Sequence, residues 1–299
     1  MITRIGTAEP ESTFLTQGEA LAAILPAHGA PGPYDVLISP AASIDNANRL
    51  DRGEIDLGFM AANWIGRAKR GDKPFTAPID LRMVAPMNVG PLFFIARAGS
   101  GIETFDDLAG KRVAVGPAGS GMTQHGHTML AAFGKTIDHV RPAYLSFADG
   151  AKALAAGEID AQLQCPIPNK VMTALDADVP LTIVRFPPAQ LDAMLAKVSF
   201  YRRAIMRKGA LRALTVDVPQ PGVLNVLVCH ARAEESRIAT IAKAVRSGAK
   251  DLARHNALFD GLDELFATAR TEGAKLLEPD GVKLHEGARA AYAAGGLPV

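Results

Sequence analysis

The chain has few of the features that would settle a function at sight. Cysteine is scarce: Cys165 and Cys229 are the only two in 299 residues. Two cysteines exclude a disulfide framework and a multi-cysteine metal site. They leave either one disulfide or two free, partly buried thiols, and the thiols are the preferred reading. Net charge is nearly absent, with 32 Lys and Arg against 31 Asp and Glu, a formal +1. This removes any electrostatic case for nucleic acid or for an anionic membrane surface. Long apolar runs are missing too. The longest, such as Pro91-Leu92-Phe93-Phe94-Ile95-Ala96, fall far short of the ~20 residues needed to span a bilayer, so no direct membrane insertion is expected. No signal peptide is visible, because a strand follows Met1 almost at once. Either the protein is cytoplasmic or a leader has been removed.

What is present is an ordinary folded composition, 48% hydrophobic and 21% charged, with length enough for two domains or one large one. One phrase occurs twice. Residues 50–60 read LDRGEIDLGFM and residues 154–164 read LAAGEIDAQLQ. In each, a polar helix end runs into Gly-Glu-Ile-Asp and then a strand. Each copy follows a strand that ends in glycine and a polar loop: Ile5-Gly6-Thr7 through Thr13, and Val113-Ala114-Val115-Gly116 through Thr123. Two similar βαβ-type units predict two similar lobes and a cleft in which a small molecule binds.

Hydrophobic periodicity places strands at 2–6, 35–39, 55–60, 81–87 and 92–96, with helices at 13–25 and 44–52. Ser43 is a candidate N-cap for the second helix, and Gly53 closes it. A short helix at 106–112 precedes the second unit. That unit has strands at 113–115, 141–146 and 159–164 and helices at 121–133 and 149–156. A strand at 181–185, a helix at 189–197 and a strand at 223–229 follow. Residues 233–277 read as mostly helical. The βαβαβ order argues for a parallel sheet flanked by helices in each lobe. The second unit sits inside the chain. The expected lobes are therefore 1–95 plus 222–299 and, inserted, 96–221, with crossings near Ala96 and Pro221.

Ligands of open parallel sheets sit beyond the carboxyl ends of the strands. The stretch Gly116-Pro117-Ala118-Gly119-Ser120-Gly121 is placed there, where small residues admit a ligand to the backbone and the start of a helix favours an anion. It is equally a plain strand-to-helix turn. Met122 and Thr123 stand where a P-loop needs Lys and Ser or Thr, and G-x-G-x-x-G is absent. In the first unit, Thr7, Ser12 and Thr13 offer hydroxyls to a ligand, and Ser12 or Thr13 also suits a helix cap. Asn63 and Trp64 follow the third strand, although a lone tryptophan also suits the core. Gln164, Cys165 and Asn169 take the corresponding place in the second unit. His125 and His127, at i and i+2, do not share a helix face, so no metal is expected. The nearest string to a nucleophile elbow, Ala118-Gly119-Ser120-Gly121-Met122, lacks both outer glycines.

These residues resemble the TAXI family of solute receptors, the binding proteins of a class of TRAP transporters. The family's opening strand and I-G-T-G-G-T-G-G-T-Y-Y is similar to Ile5-Gly6-Thr7-Ala8-Glu9-Pro10-Glu11-Ser12-Thr13-Phe14-Leu15. Its S-x-x-N-x-x-x-L-x-x-G-E-x-D-L-x-F is similar to Ser43 through Phe59, and its G-I-x-x-x-x-D-L-x-G-K-R-V-x-V-G-x-x-G-S-G to Gly101 through Gly121. Tyr144-Leu145-Ser146-Phe147 and Gly157-Glu158-Ile159-Asp160-Ala161 also fit. The resemblance covers nearly the whole chain. It implies an α/β, two-lobed, type II-like periplasmic-binding-protein fold that closes around a small organic solute, a carboxylate or amino-acid-like compound. The solute would pass to membrane transporter components from the periplasm, with no catalysis and no cofactor. The implied ligand-binding residues are Gly6, Thr7, Ser12, Thr13, Phe14, Asn63, Trp64, Gly119, Ser120, Gly121, Met122, Thr123, Gln164 and Asn169. The chain departs from the family at Glu9-Pro10-Glu11, Phe14, Ala61 and Met122-Thr123. Two carboxylates in the first loop would suit a solute with an amino group. The alternative is an enzyme on the same scaffold, for which Cys165 or His125 would supply the reactive group; a ligand-sensing module ranks third.

Overall fold

The computed structural model describes residues 2–10, 12–164, 167 and 169–299. Glu11 and Cys165, both named above, lie outside the described residues. In chain order the elements are β1 (Thr3–Gly6), α1 (Thr13–Ile24), β2 (Tyr34–Leu37), α2 (Ser43–Arg52), β3 (Leu57–Ala61), α3 (Ala62–Arg70), β4 (Leu81–Pro91), β5 (Phe93–Arg97), β6 (Arg112–Ala114), α4 (Gly121–Ala131), β7 (Arg141–Ala143) and α5 (Phe147–Ala156). They continue with β8 (Ala161–Gln164), α6 (Lys170–Asp178), β9 (Leu181–Ile183), α7 (Pro188–Lys197), β10 (Tyr201–Met206), β11 (Val218–His230), α8 (Glu235–Ser247), α9 (Ala249–His255), α10 (Leu262–Glu272), α11 (Ala274–Leu277) and α12 (Glu286–Ala294). The expected α/β class with flanking helices is the one adopted, but the sheets are mixed rather than mostly parallel, because β11 and β5 run antiparallel to their neighbours.

The chain divides into two compact units, residues 1–88 with 224–299 and residues 89–223. It passes from the first to the second inside β4 and returns inside β11. In the first unit the strand order is β2-β1-β3-β11, with β1 parallel to both neighbours and β11 antiparallel to β3. In the second it is β7-β6-β8-β5-β9, with β6 parallel to both neighbours and β5 antiparallel to β8 and β9. The two orders match strand for strand through the first four. Residues 218–223 of β11 belong to the second unit and pair antiparallel with β10.

The repeated phrase has the same physical role in both units. Gly53 and Gly157 end α2 and α5 in the left-handed conformation, at φ 72° and 79°, which a side chain would strain. Ile55 and Ile159 are buried behind them. Asp56 then accepts from the Arg4 backbone N–H at 2.8 Å and from Arg4 Nε at 3.2 Å, while Arg4 also donates to Gly53 O at 3.0 Å. Asp160 holds Arg112 with the same contacts, at 2.8 Å and 3.2 Å, and Arg112 donates to Gly157 O at 3.0 Å. Register agrees, since Ile5 faces Leu57 as Val113 faces Ala161. Each Arg–Asp clamp ties the starts of two neighbouring parallel strands. The Arg112 guanidinium pulls the Asp160 carboxyl down to about 2. Burial pushes Asp56 upward, but its bonds to Arg4 outweigh that and leave it below its ordinary value.

Four helices begin with one device. Ser12, Ser120, Ser146 and Asn169 each accept the N–H three residues on, from Leu15, Thr123, Asp149 and Met172. Ser43 does not act this way. Ala42 is the residue before α2, and Ser43 Oγ instead accepts the N–H of Ala61 at 3.1 Å, fastening α2 to the end of β3. The sequence reading lacks α3, α6, β10 and α12, and it starts β11 late. The short helix expected at 106–112 is a 3₁₀ turn at Phe105–Leu108. In the second unit an aromatic cluster forms part of the core, with Phe105 stacked on Phe186 at 4.8 Å and flanked by Phe94 and Phe133.

Candidate functional site

In each unit the candidate residues gather at the carboxyl ends of the parallel strands, opposite the clamps. In the first unit, Thr7 follows β1 and is fully buried. Its N–H and its hydroxyl both donate to Leu37 O, at 2.9 Å each, so Thr7 straps β1 to β2. Gly6 is required by close approach, because a Cβ there would lie 2.3 Å from Asn46 Oδ1. Asn46 is the buried amide that bridges the two strand ends, donating to Thr7 O at 2.7 Å and Phe59 O at 2.9 Å. Sequence reading quotes Asn46 only within the family motif. Its spacing three residues after Ser43 is the signal, since one turn of helix carries both fasteners to β3.

Ser12 caps α1, and Thr13 is the first helical residue. Both are half-buried. Phe14 leans on Phe59 at 5.5 Å between ring centroids. Glu9 is exposed. Asn63 and Trp64 lie in α3, which starts directly after β3. Trp64 meets Phe75 edge-on at 6.4 Å and carries the Arg67 guanidinium 5.3 Å from its ring centroid, so its surroundings are those of a packed side chain. Asn63 is buried, and its Oδ1 has no hydrogen-bond partner.

In the second unit, Gly116 turns the chain out of β6 at φ 93°. Pro117, Ala118 and Gly119 are exposed, and Ser120 caps α4. Thr123 is buried and its hydroxyl donates back to Pro117 O at 2.7 Å, which fixes the loop. Gly121 and Met122 form the first turn, so the positive end of the α4 dipole sits behind an exposed glycine-rich loop. Gln164 ends β8, in register with Phe93. It is fully buried, and neither its Nε2 nor its Oε1 has a partner. Asn169 caps α6 through Oδ1 at 2.8 Å from Met172 N.

Thr7, Thr123 and Asn169 are thus committed to holding backbone. Ser120 likewise caps α4, while Gln164 has polar side-chain atoms without a partner. His125 and His127 separate as expected from their spacing. His127 is exposed, whereas His125 is buried with Nδ1 2.9 Å from Tyr201 Oη, and burial pushes it down to about 4. Cys229 is a free, buried thiol, pushed up to about 12 by that burial. Among the described residues no helix is long and apolar enough to cross a membrane.

A two-unit α/β architecture with its polar loops at the strand ends defines the fold of the solute-binding proteins that serve membrane transport. Solved neighbours agree. A TctC solute-binding protein from Polaromonas superposes with a TM-score of 0.58 at 17% identity, covering 88% of this chain and 87% of that one. The periplasmic aliphatic sulphonate binding protein SsuA from Escherichia coli gives 0.50 at 17% identity, covering 99% and 84%. Substrate binding domain 2 of GlnP from Lactococcus lactis gives 0.50 at 11% identity, covering 87% and 94%. These neighbours are binding proteins, not enzymes. The chain itself belongs to the NMT1-like family, whose model matches residues 5–296.

Proposed function

We propose that the protein is a periplasmic solute receptor of the TAXI kind. It captures a small organic solute, carboxylate or amino-acid-like, between lobes spanning 1–95 plus 222–299 and 96–221. The lobes close around the solute, which is delivered to a TRAP-type membrane transporter. Closure works because the solute binds the closed state better than the open one. One observation carries the reading: the same sheet order occurs twice, and each copy ends at a serine-capped helix, Ser12 on α1 and Ser120 on α4. Family membership over nearly the whole chain supports it.

A thermal-shift panel of amino acids, mono- and dicarboxylates and aromatic acids tests it. A compound that binds only the folded protein stabilises it by ~2.7 kcal/mol at a hundredfold excess over its Kd. We expect one compound to raise the melting temperature saturably, with the gain reduced in Ser120→Ala. No shift across the panel, or consumption of the compound that shifts it, would overturn the receptor reading.

A further inference from the structure

Many of the buried polar side chains at the solute ends of the strands are carboxamides, and several of their atoms have nothing to bond. In the first unit, Gln17 of α1 is fully buried. Its Nε2 donates to Asn88 Oδ1 at 3.3 Å, and Asn225 Nδ2 donates to the same oxygen at 3.2 Å. Asn88 lies on β4 and Asn225 on β11, the two strands by which the chain leaves and re-enters this unit. Gln17 Oε1, on the same amide carbon, has no partner. Asn63 follows Ala61, which pairs with Asn225, and its Oδ1 is also without a partner. The second unit supplies an independent case in Gln164, with both amide atoms unpaired.

A buried polar atom left unpaired is costly, and native folds keep few of them. The side chains named here, Gln17, Asn63, Asn88, Asn225 and Gln164, are all neutral amides. An ionic solute group brought against neutral amides would lose its hydration without gaining a counter-charge. A group with an N–H beside a C=O has what these positions lack. It can donate to Gln17 Oε1, and it can donate and accept together at an amide like Gln164. Turning all three amides of the first unit over together would make the unpaired Gln17 atom a donor, and such a group satisfies that arrangement as well.

Resting on the receptor reading above, we propose that the solute bears an uncharged carboxamide-type group, and that Gln17, held by Asn88 and Asn225, is a residue that selects it over the corresponding carboxylate. The test is isothermal titration calorimetry with matched pairs: nicotinamide and nicotinate, L-asparagine and L-aspartate, L-glutamine and L-glutamate. We expect the carboxamide of at least one pair to bind tenfold or more tightly than its acid. Gln17→Met keeps the length and removes the polar atoms. It should weaken that binding at least tenfold without lowering the melting temperature, since a merely structural role would lower both. An acid that binds as tightly as its amide, or a Gln17→Met protein that binds like the wild type or loses stability together with affinity, overturns the proposal and leaves the receptor reading standing. The pair comparison needs only the wild-type protein. Absence of binding by every compound here and in the wider panel overturns both.

Discussion

Acidification should weaken this protein through histidines lowered by burial before its carboxylates respond, and His125 carries most of the effect. His125 is buried in α4, with Tyr201 Oη 2.9 Å from Nδ1 and the Phe200 and Tyr201 rings beside it. Burial without a nearby anion disfavours the imidazolium, which holds the group at about 4 against an ordinary 6.5. A depressed histidine value means that the unfolded chain binds the proton first. Stability is therefore intact above pH 6.5 and falls as pH drops from there towards 4. Linkage between those two values gives a loss of about 2 kcal/mol on going from pH 7 to pH 5. Asp160, held down near 2, keeps its stabilising charge throughout that window and loses it only as pH falls from about 4 towards 2. His230 is also lowered, by partial burial and by Arg232, and so slopes in the same direction. A comparison with His125→Asn cancels it. Asparagine offers a hydrogen-bonding group near the Nδ1 position and cannot titrate. Urea denaturation followed by far-ultraviolet circular dichroism at pH 7, 6 and 5 should give the wild type a slope steeper than the variant's, by about 2 kcal/mol in total. Equal slopes would refute the assignment of His125 as a buried neutral base, whatever constant offset the smaller side chain introduces.

Other substitutions probe the scaffold. Asp160→Asn and Asp56→Asn each weaken one clamp between parallel strands while leaving an amide in place, and each should lower the unfolding free energy by about 1–2 kcal/mol in chemical denaturation. Their effects should add, because the clamps lie in separate units. Gly287→Ala should be more damaging than its size suggests. The new Cβ would lie 2.1 Å from Glu235 O and 2.9 Å from Ala239 N, both backbone atoms of α8, so α12 must shift. A loss of about 2–3 kcal/mol is expected from such overpacking, and an unchanged melting temperature would contradict it. Ser146→Ala removes the α5 cap and should cost about 1 kcal/mol, restored by Ser146→Asp.

How much could be read in advance follows from which residues act locally. The cap Ser12 and the terminator Gly53 act within four residues of themselves, so the sequence exposes them. α3 went unread because Asn63 and Trp64 were weighed only as residues beyond the strand end or in the core, although Gly71 and the basic turn Arg67, Lys69 and Arg70 mark a helix end. β10 hides because Arg202 and Arg203 break the alternation, and the start of β11 hides because Pro219 and Pro221 look like breakers. Pro219 faces Ile205 and Pro221 faces Arg203 within a regular antiparallel ladder. α12 is short, and its buried face is Gly287, Ala288 and Tyr292 rather than large aliphatic residues, so it gives no strong core signal; it packs closely at Gly287. Gln17 was invisible for a different reason. A glutamine on an amphipathic helix looks solvent-facing, and only the tertiary arrival of Asn88 and Asn225, from positions distant in the chain, makes it a buried amide.

The repeat itself separates scaffold from specificity. At the starts of the strands the two units use the same residues for the same bonds: a glycine terminator, a buried isoleucine and an Arg–Asp clamp with nearly equal distances. At the ends of the strands only the serine cap is shared. Gly6 and Thr7 face Asn46 in one unit, whereas Gly116 and Thr123 shape a glycine-rich loop in the other; Gln17 and Asn63 stand in one, and Gln164 in the other. Identity at one edge and difference at the other is what two lobes need if each is built alike but grips a different part of an asymmetric solute. Exchanging Gln17 or Gln164 should therefore change what is bound with little loss of stability, whereas Asp56→Asn or Asp160→Asn should lower stability and leave what is bound unchanged.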